Sequence, residues 1–277
     1  MSGGTRTPGA GVDHELRVGS AAHYEDPAYY AKAYADRADD VAYYVALAKK
    51  HGGPVLEYGC GSGRIALPMA RAGVEVFGID LSEAMLGELE SKLKSEPPEV
   101  RRRLHVRHGD MRDVALKRRF PLVICAFNTL LHLYLREDVE RFLARVRGHL
   151  ARDAVFVFDA NVPTPFDLAR EPSKAFKMPA FRHPTLGRRV RYAERFDYDP
   201  IRQILFVAME FSPTVGEPFV TPLAHRQFFP AELEALLHYN GFAIDRREGG
   251  FRGEPVDRHA DCIVWTCRAV GPKKQRR

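Results

Sequence analysis

One carboxylate and three glycines at alternate positions mark where this chain could do chemistry. In Val55-Leu56-Glu57-Tyr58-Gly59-Cys60-Gly61-Ser62-Gly63-Arg64-Ile65-Ala66-Leu67, an apolar run carries an acid, turns through glycines and resumes with helical spacing. Glycines at such a turn let the backbone bend tightly and let a ligand lie against it with no Cβ in the way. The strand–turn–helix unit is that of a nucleotide-type cofactor site. Spacing narrows the ligand. A dinucleotide fingerprint, G-x-G-x-x-G, needs a last glycine so that the helix can approach and hold a pyrophosphate. Here Arg64 occupies that place, and Glu57 precedes the first glycine by two residues.

Two further acids stand where such a ligand would need them. Asp80 comes 17 residues after Gly63, at the end of the next apolar run, where a carboxylate can accept hydrogen bonds from both hydroxyls of a ribose. A charge favoured at the N-terminus of the helix that follows is the alternative, and the glycine turn upstream favours the ribose. Asp110-Met111 follows a third apolar run and offers an acid beside an apolar side chain, although Gly-Asp-Met is also an ordinary turn. In open α/β sheets ligands sit at the carboxyl ends of the strands, which is where these residues fall.

The elements that must position them alternate. Asp26-Pro27 is a helix start, and a Tyr-rich helical stretch, broken near Asp36 to Asp39, runs to Lys50. Strands are expected at 55–58, 74–79, 104–107, 121–127 and 154–160. Between them lie helices at about 63–72, with Pro68 loosening its start, and after Ser82, where Met85, Leu86, Leu89 and Leu93 share a face. Another follows through Leu135, Val139, Phe142, Leu143, Val146 and Leu150. Alternation then fails: Asn161 to Gly187 reads as Pro-rich and irregular. Strands at 190–196 and 203–211 form a hairpin around Asp197–Pro200, and 221–229 adds a third strand. A helix at 230–239 and strands at 242–246 and 260–268 finish the sheet. The fold class is α/β: a Rossmann-like, seven-stranded, mostly parallel sheet with helices on both faces, plus an antiparallel β insert after strand five.

At 277 residues, 45% hydrophobic and 28% charged, the composition is that of a soluble globular protein. We expect a disordered leader over 1–21, a single domain over 22–270 and a basic tail over 271–277. Within the domain, 162–227 would serve as a β insert, a lid or a dimerisation element. No apolar run approaches a membrane span. Cys60, Cys125, Cys262 and Cys267 form no C-x-x-C pair, so no metal site is expected and buried reduced thiols in a cytoplasmic protein are. The net charge of +6 clusters at 101–103, 117–119, 188–189 and the tail. Solvated loops explain those clusters, with nucleic acid as the less favoured reading.

E-x-G-x-G-x-G resembles motif I of the class I S-adenosylmethionine (SAM) methyltransferases. With it, Tyr34-Ala-Asp-Arg37, Arg64-Ile-Ala-Leu-Pro68, Leu81-Ser-Glu-Ala-Met85-Leu86, His108-Gly-Asp-Met-Arg-Asp113 and Phe127-Asn-Thr-Leu-Leu-His132-Leu133 resemble bacterial small-molecule N-methyltransferases of the amino-sugar and glycine/sarcosine types. The resemblance spans roughly Tyr24 to Arg268, weakly through the insert. It implies SAM as cofactor, held by Tyr34, Arg37, Glu57, Gly59, Gly61, Gly63, Asp80, Leu81, Met85, Asp110, Met111, Phe127 and Asn128. Arg37 would pair with the methionyl carboxylate, and Tyr34 would offer its ring to the sulfonium. Asn128 could instead cap the following helix, and Tyr34 could face a core. His132 falls where relatives line the acceptor pocket, and a neutral imidazole there could free the acceptor's lone pair. A buried structural histidine is the equal alternative. The implied activity is methyl transfer to a nitrogen or oxygen of a small metabolite, with the β insert as the surface for a homodimer. The alternatives are an RNA or protein methyltransferase using the basic surface, or a SAM-binding protein without catalysis. The place after strand four reads Asn128-Thr129-Leu130-Leu131, which lacks the Asn/Asp-Pro-Pro-aromatic signature of base amino-methylation.

Overall fold

The computed structural model describes residues 10–270. In chain order the elements are α1 (Ala10–Ala21), α2 (Pro27–Ala33), α3 (Asp39–His51), β1 (Val55–Tyr58), α4 (Ala66–Arg71), β2 (Val76–Asp80) and α5 (Glu83–Lys94). Next come α6 (Pro98–Arg101), β3 (Leu104–His108), β4 (Phe120–Cys125), α7 (Arg136–His149), β5 (Leu150–Asn161) and α8 (Pro165–Leu168). The chain closes with β6 (Phe176–Arg182), β7 (Arg189–Asp199), β8 (Ile204–Pro213), β9 (Phe219–Arg226), α9 (Pro230–Tyr239), β10 (Phe242–Glu248) and β11 (Cys262–Ala269).

Seven strands form one sheet in the order β10-β11-β5-β4-β1-β2-β3, and β6-β7-β8-β9 form a second, antiparallel one. In the main sheet β11 alone runs against its neighbours, β5 and β10. β1 pairs in parallel with β2 on one side and β4 on the other, so Tyr58 lies level with both Ile79 and Cys125. Connections leave β1 and β4 toward opposite edges, and this switch in direction opens a crevice at their carboxyl ends.

Strand alternation sorts the core into two layers. Leu56, Tyr58, Val123, Cys125, Phe156 and Phe158 face α7 and α9. Val55, Val76, Leu122, Ile124 and Val157 face α3, α4 and α5. Truncating a wholly buried side chain such as Phe142 to alanine would cost about 3–5 kcal/mol. The helix after the glycine turn starts only at Ala66, which places Pro68 in its first turn, where its missing N–H costs least.

Three expectations need correction. The leader is not disordered throughout: from Ala10 to Ala21 it is helix α1, packed on the insert sheet, with Leu16 buried against Ile204 and Ala224. The rest of the expected leader and the basic tail 271–277 lie outside the described residues. A short isolated helix is marginal by itself, so tertiary contact supplies what the local sequence does not announce. Second, the stretch read as irregular contains α8 and strand β6, which adds to the edge of β7. Third, the hairpin turn falls later than Asp197–Pro200. β7 continues to Asp199, whose carboxylate accepts hydrogen bonds from the backbone of Ile201 and Arg202.

α1 meets β9 at Gly19, where an added Cβ would sit 2.7 Å from the Ala224 Cβ. Gly19→Val is therefore expected to undock α1 while the main sheet holds. Amide hydrogen exchange tests this: residues 14–21 should lose protection while β1, β4 and β5 keep theirs. Unchanged protection in α1 would refute it.

Candidate cofactor and acceptor site

A cavity of about 1000 Å³ opens at the carboxyl ends of β1, β2, β3 and β4. Its floor is the glycine turn. Gly59, Gly61 and Gly63 have φ of 70°, 52° and 80°, a region that residues with a Cβ rarely occupy. The amides of Gly59 and Cys60 both donate to the Ile79 carbonyl, at 2.8 and 3.1 Å, tying the turn to β2. Asp80 completes the tie: one carboxylate oxygen accepts from Gly61 N–H at 2.7 Å and the other from Ser82 N–H at 2.8 Å. Burial raises the Asp80 carboxyl above its usual value, opposed by those backbone donors. Leu81, 60% exposed, and buried Met85 line the wall beside it.

Asp110 and Met111 line the next part of the wall. Burial acts to raise the Asp110 carboxyl, but hydrogen bonds from Arg112 outweigh it and hold it below its ordinary value. Arg112 also reaches Asp138 at 2.8 Å, so it braces the β3 loop against α7.

Glu57 is only 2% exposed, and its Oε2 has no hydrogen-bond partner. Burial holds its carboxyl well above the usual range, with Arg64 opposing. Arg64 lines the cavity, makes a two-pronged bridge to buried Asp40 (2.9 and 2.5 Å) and lies 4.3 Å from the centre of the Phe127 ring. A buried acid with an orphaned oxygen, beside glycines and a fixed guanidinium, suits an amino-acid end carrying an ammonium and a carboxylate. The adjoining Asp80 and Asp110–Met111 suit a ribose and a base. The residues present therefore fit SAM.

At the other end the cavity is lined by aromatic side chains gathered around His132. The Tyr24 hydroxyl lies 2.6 Å from His132 Nε2, and His132 Nδ1 faces the Tyr134 hydroxyl at 3.5 Å. Tyr134 in turn donates to the Ala224 carbonyl at 3.0 Å. The His225 ring, from β9, packs edge-on against His132 at 4.9 Å, and His23 contacts Tyr24 and Tyr34. Burial pushes His132 down to about 4, with His23 adding to the effect, and burial pushes His23 itself to about 4. Burial raises the Tyr24 hydroxyl well above its ordinary value. Tyr24 therefore keeps its proton and His132 is neutral. A hydrogen bond from Tyr24 to Nε2 puts the ring proton on Nδ1, toward Tyr134. Leu16, Arg17 and Ser20 of α1, together with Ile201, Arg202, Ile204 and Arg226 of the insert, close this end.

The structure thus gathers Glu57, Gly59, Gly61, Asp80, Leu81, Met85, Asp110, Met111, Phe127 and His132 around one cavity. Four expected residues stand behind its wall. Gly63 shapes the turn, since a Cβ there would meet Leu89 at 2.3 Å. Asn128 accepts from Asn161 N–H through its side chain. Tyr34 bonds His23 and packs edge-on against Phe127 at 4.9 Å. Arg37 is exposed, 5.3 Å from the Phe127 ring centre, and with Tyr34 and Gly63 lines a separate depression. Sequence reasoning missed Tyr24, Tyr30, Arg64 as a lining group, His225 and Asp159. Arg64 was visible as a departure from a dinucleotide fingerprint and as part of the Arg64–Pro68 resemblance, neither of which gave it a lining role, and His225 had no local signal because a different sheet brings it in. Among the described residues no group of three or more His, Cys, Asp or Glu is placed to hold a metal ion, and no helix is long and apolar enough to cross a membrane.

A doubly faced, mostly parallel sheet, with a glycine turn at its switch point and acids at the ends of β1 and β2 and after β3, is a Rossmann-like fold. Comparison with known proteins agrees. Residues 55–153 match the model of a methyltransferase domain family. An N,N-dimethyltransferase of dTDP-3-amino-3,6-dideoxy-α-D-glucopyranose from Streptomyces fradiae is 33% identical over 128 residues, 46% of this chain and 47% of its own. The chain thus spans about half the length of that relative. A cypemycin N-terminal methyltransferase from a Streptomyces species is 26% identical over 207 residues, 74% of this chain and 78% of its own. Among solved structures, the CcbJ methyltransferase from Streptomyces caelestis superposes with a TM-score of 0.75 at 26% identity, covering 85% of this chain and 98% of that one. Residues 55–153 thus match a methyltransferase domain, within a fold shared with a solved methyltransferase.

His23 and His132 titrate near 4 in the folded state and at the ordinary 6.5 when unfolded. The unfolded chain therefore binds more protons between those values, so their contribution to stability is full above pH 6.5 and is lost as pH falls toward 4. Urea midpoints should decline across that window, and His132→Gln should make the decline shallower. An equally steep decline in the variant would show that His132 titrates normally in the fold.

Proposed function

We propose that this protein transfers a methyl group from SAM to an amine nitrogen of a small metabolite. The observation that carries this reading is a cavity charged at one end, by Glu57, Asp80 and Asp110, and closed at the other by the neutral Tyr24–His132 pair. When bound, SAM supplies an electrophilic methyl group on a sulfonium.

In this reading Glu57 Oε2 receives the methionyl ammonium and Arg64 faces the carboxylate, with Arg37 beyond Phe127 as a second guanidinium. Asp80 has lone pairs left after its two backbone bonds and takes the ribose hydroxyls. Asp110 takes the base amine, while Met111, Leu81 and Met85 lie against apolar faces. The chain's own contribution to rate is mainly positioning, because in-line displacement at a reactive methyl is accelerated by holding the nucleophile in line. Tyr24, donating to His132, keeps lone pairs for an acceptor N–H. The Tyr24 oxygen, held by its hydrogen bond with His132, would accept that N–H and so orient the acceptor's lone pair. Neutral imidazoles at this end favour an uncharged amine, the nucleophilic form. The names of the relatives support nitrogen as the acceptor atom: an amino-sugar N,N-dimethyltransferase and a peptide N-terminal methyltransferase. Four free cysteines among the described residues support a cytoplasmic setting.

Two experiments test the reading. Calorimetry with S-adenosylhomocysteine should show binding that Asp80→Ala weakens at least about tenfold, from loss of charge-assisted hydrogen bonds. Because burial raises Glu57, its pairing with an ammonium should be linked to proton release, read as a dependence of binding heat on buffer ionisation, and Glu57→Gln should abolish that linkage. No binding by the wild type would remove the cofactor assignment. Separately, labelled SAM offered with pools of primary amines, hydroxylated metabolites and tRNA should label amines. Tyr24→Phe and His132→Ala should each lower kcat by about 10²-fold or more. Label confined to tRNA would overturn the small-molecule reading.

A further inference from the structure

The corner that follows β4 is built against the preferences of its residues. Phe127 and Asn128 have φ of 55° and 61°, and among the described residues they are the only adjacent pair without glycine in the left-handed region. Asparagine tolerates that region, but an aromatic side chain does so rarely. Such a conformation persists only where the surroundings over-determine it, and it is found preferentially at functional sites.

What holds the corner is a single acid on the neighbouring strand. Asp159, on β5, accepts from Phe127 N–H at 2.8 Å through one oxygen and from Asn128 N–H at 3.3 Å through the other. The first oxygen also accepts from the Tyr44 hydroxyl at 2.6 Å. Asp159 is 2% exposed, and none of its three donors is a cation. A carboxylate there is a poor choice for stability, since a buried acid without a counter-charge is costly and an apolar side chain would fill the same core position. Its presence needs a reason in what it holds. The corner presents the Phe127 ring to the cavity, with Arg64 at 4.3 Å on its face, Arg37 at 5.3 Å and the Tyr34 ring at 4.9 Å.

Building on the cofactor assignment above, we propose that Asp159 is a positioning residue for the methionyl end of the site. Its two oxygens fix the Phe127–Asn128 corner so that Phe127 sets the place of the Arg64 and Arg37 guanidiniums. Tyr44 orients the carboxylate from the α3 side. Asp159 itself touches neither cofactor nor acceptor.

The test is S-adenosylhomocysteine affinity measured by calorimetry on the full chain, beside the Tm without ligand. Asp159→Asn keeps shape but leaves one oxygen, so its amide group must oppose one of the two backbone N–H donors. It should weaken binding about tenfold. Adding Asn128→Gly to that variant should restore several-fold of the lost affinity without restoring Tm, because glycine takes a φ near 60° without being held there. Tyr44→Phe, a milder change that keeps the fold if Asp159→Asn does not, should weaken binding about threefold. A purely structural Asp159 would lower Tm, leave affinity within about twofold and show no rescue by glycine, and that result overturns the proposal. Failure of the wild type to bind overturns the cofactor assignment and this proposal together. Wild-type binding with unchanged affinity in the folded variants overturns this proposal alone.

Discussion

The two hydrogen bonds accepted by Asp80 are the constraint on which the rest of the site depends. Gly61 N–H and Ser82 N–H converge on one carboxylate, so the turn after β1 and the start of α5 are held against the end of β2 by the same group. Glycines make the turn accessible, but accessibility is not order. A left-handed glycine loop with free amides would sample many shapes at the entropic expense that glycine brings. Burial and the two backbone donors around Asp80 select one. The carboxylate then faces the cavity with lone pairs to spare, already oriented for a ligand.

From that anchor the cavity separates two chemistries. Toward β1 it offers charge: a buried glutamate with an unpartnered oxygen, and an arginine locked by Asp40 and stacked on Phe127. Toward α1 and the insert it offers Tyr24 and His132, which burial keeps neutral, beside Arg17, Arg202 and Arg226. A zwitterionic amino-acid group would be stabilised at one end and an uncharged nucleophile at the other.

The second sheet matters because it closes the His132 end. β9 brings Arg226 to the wall and packs His225 against His132, the β7–β8 turn brings Ile201 and Arg202, and α1 lies across β9 to add Leu16 and Ser20. These pieces are far apart in sequence and share no motif. Their variation would change the acceptor while leaving the Glu57–Asp80–Asp110 row untouched, which is how one domain can serve many small molecules.

The sequence alone determined the α/β alternation, the glycine turn and the acids after β2 and β3, because each is local. An apolar strand, a turn that needs glycine and a carboxylate at a strand end can be read within a few residues. It also pointed to His132 and Phe127, but not to what surrounds them. Only the tertiary structure decided that Arg64 lines the cavity while Arg37 lies outside it, that Tyr24 rather than Tyr34 meets His132, and that Asp159 holds the Phe127–Asn128 corner. The helix α1, read locally as a leader, owes its order to Leu16 and Gly19 against a sheet some 200 residues away in sequence. Those facts depend on which side chains the sheet crossings bring within hydrogen-bonding reach, and on burial that shifts their charge. Neither is a property of any stretch of chain by itself.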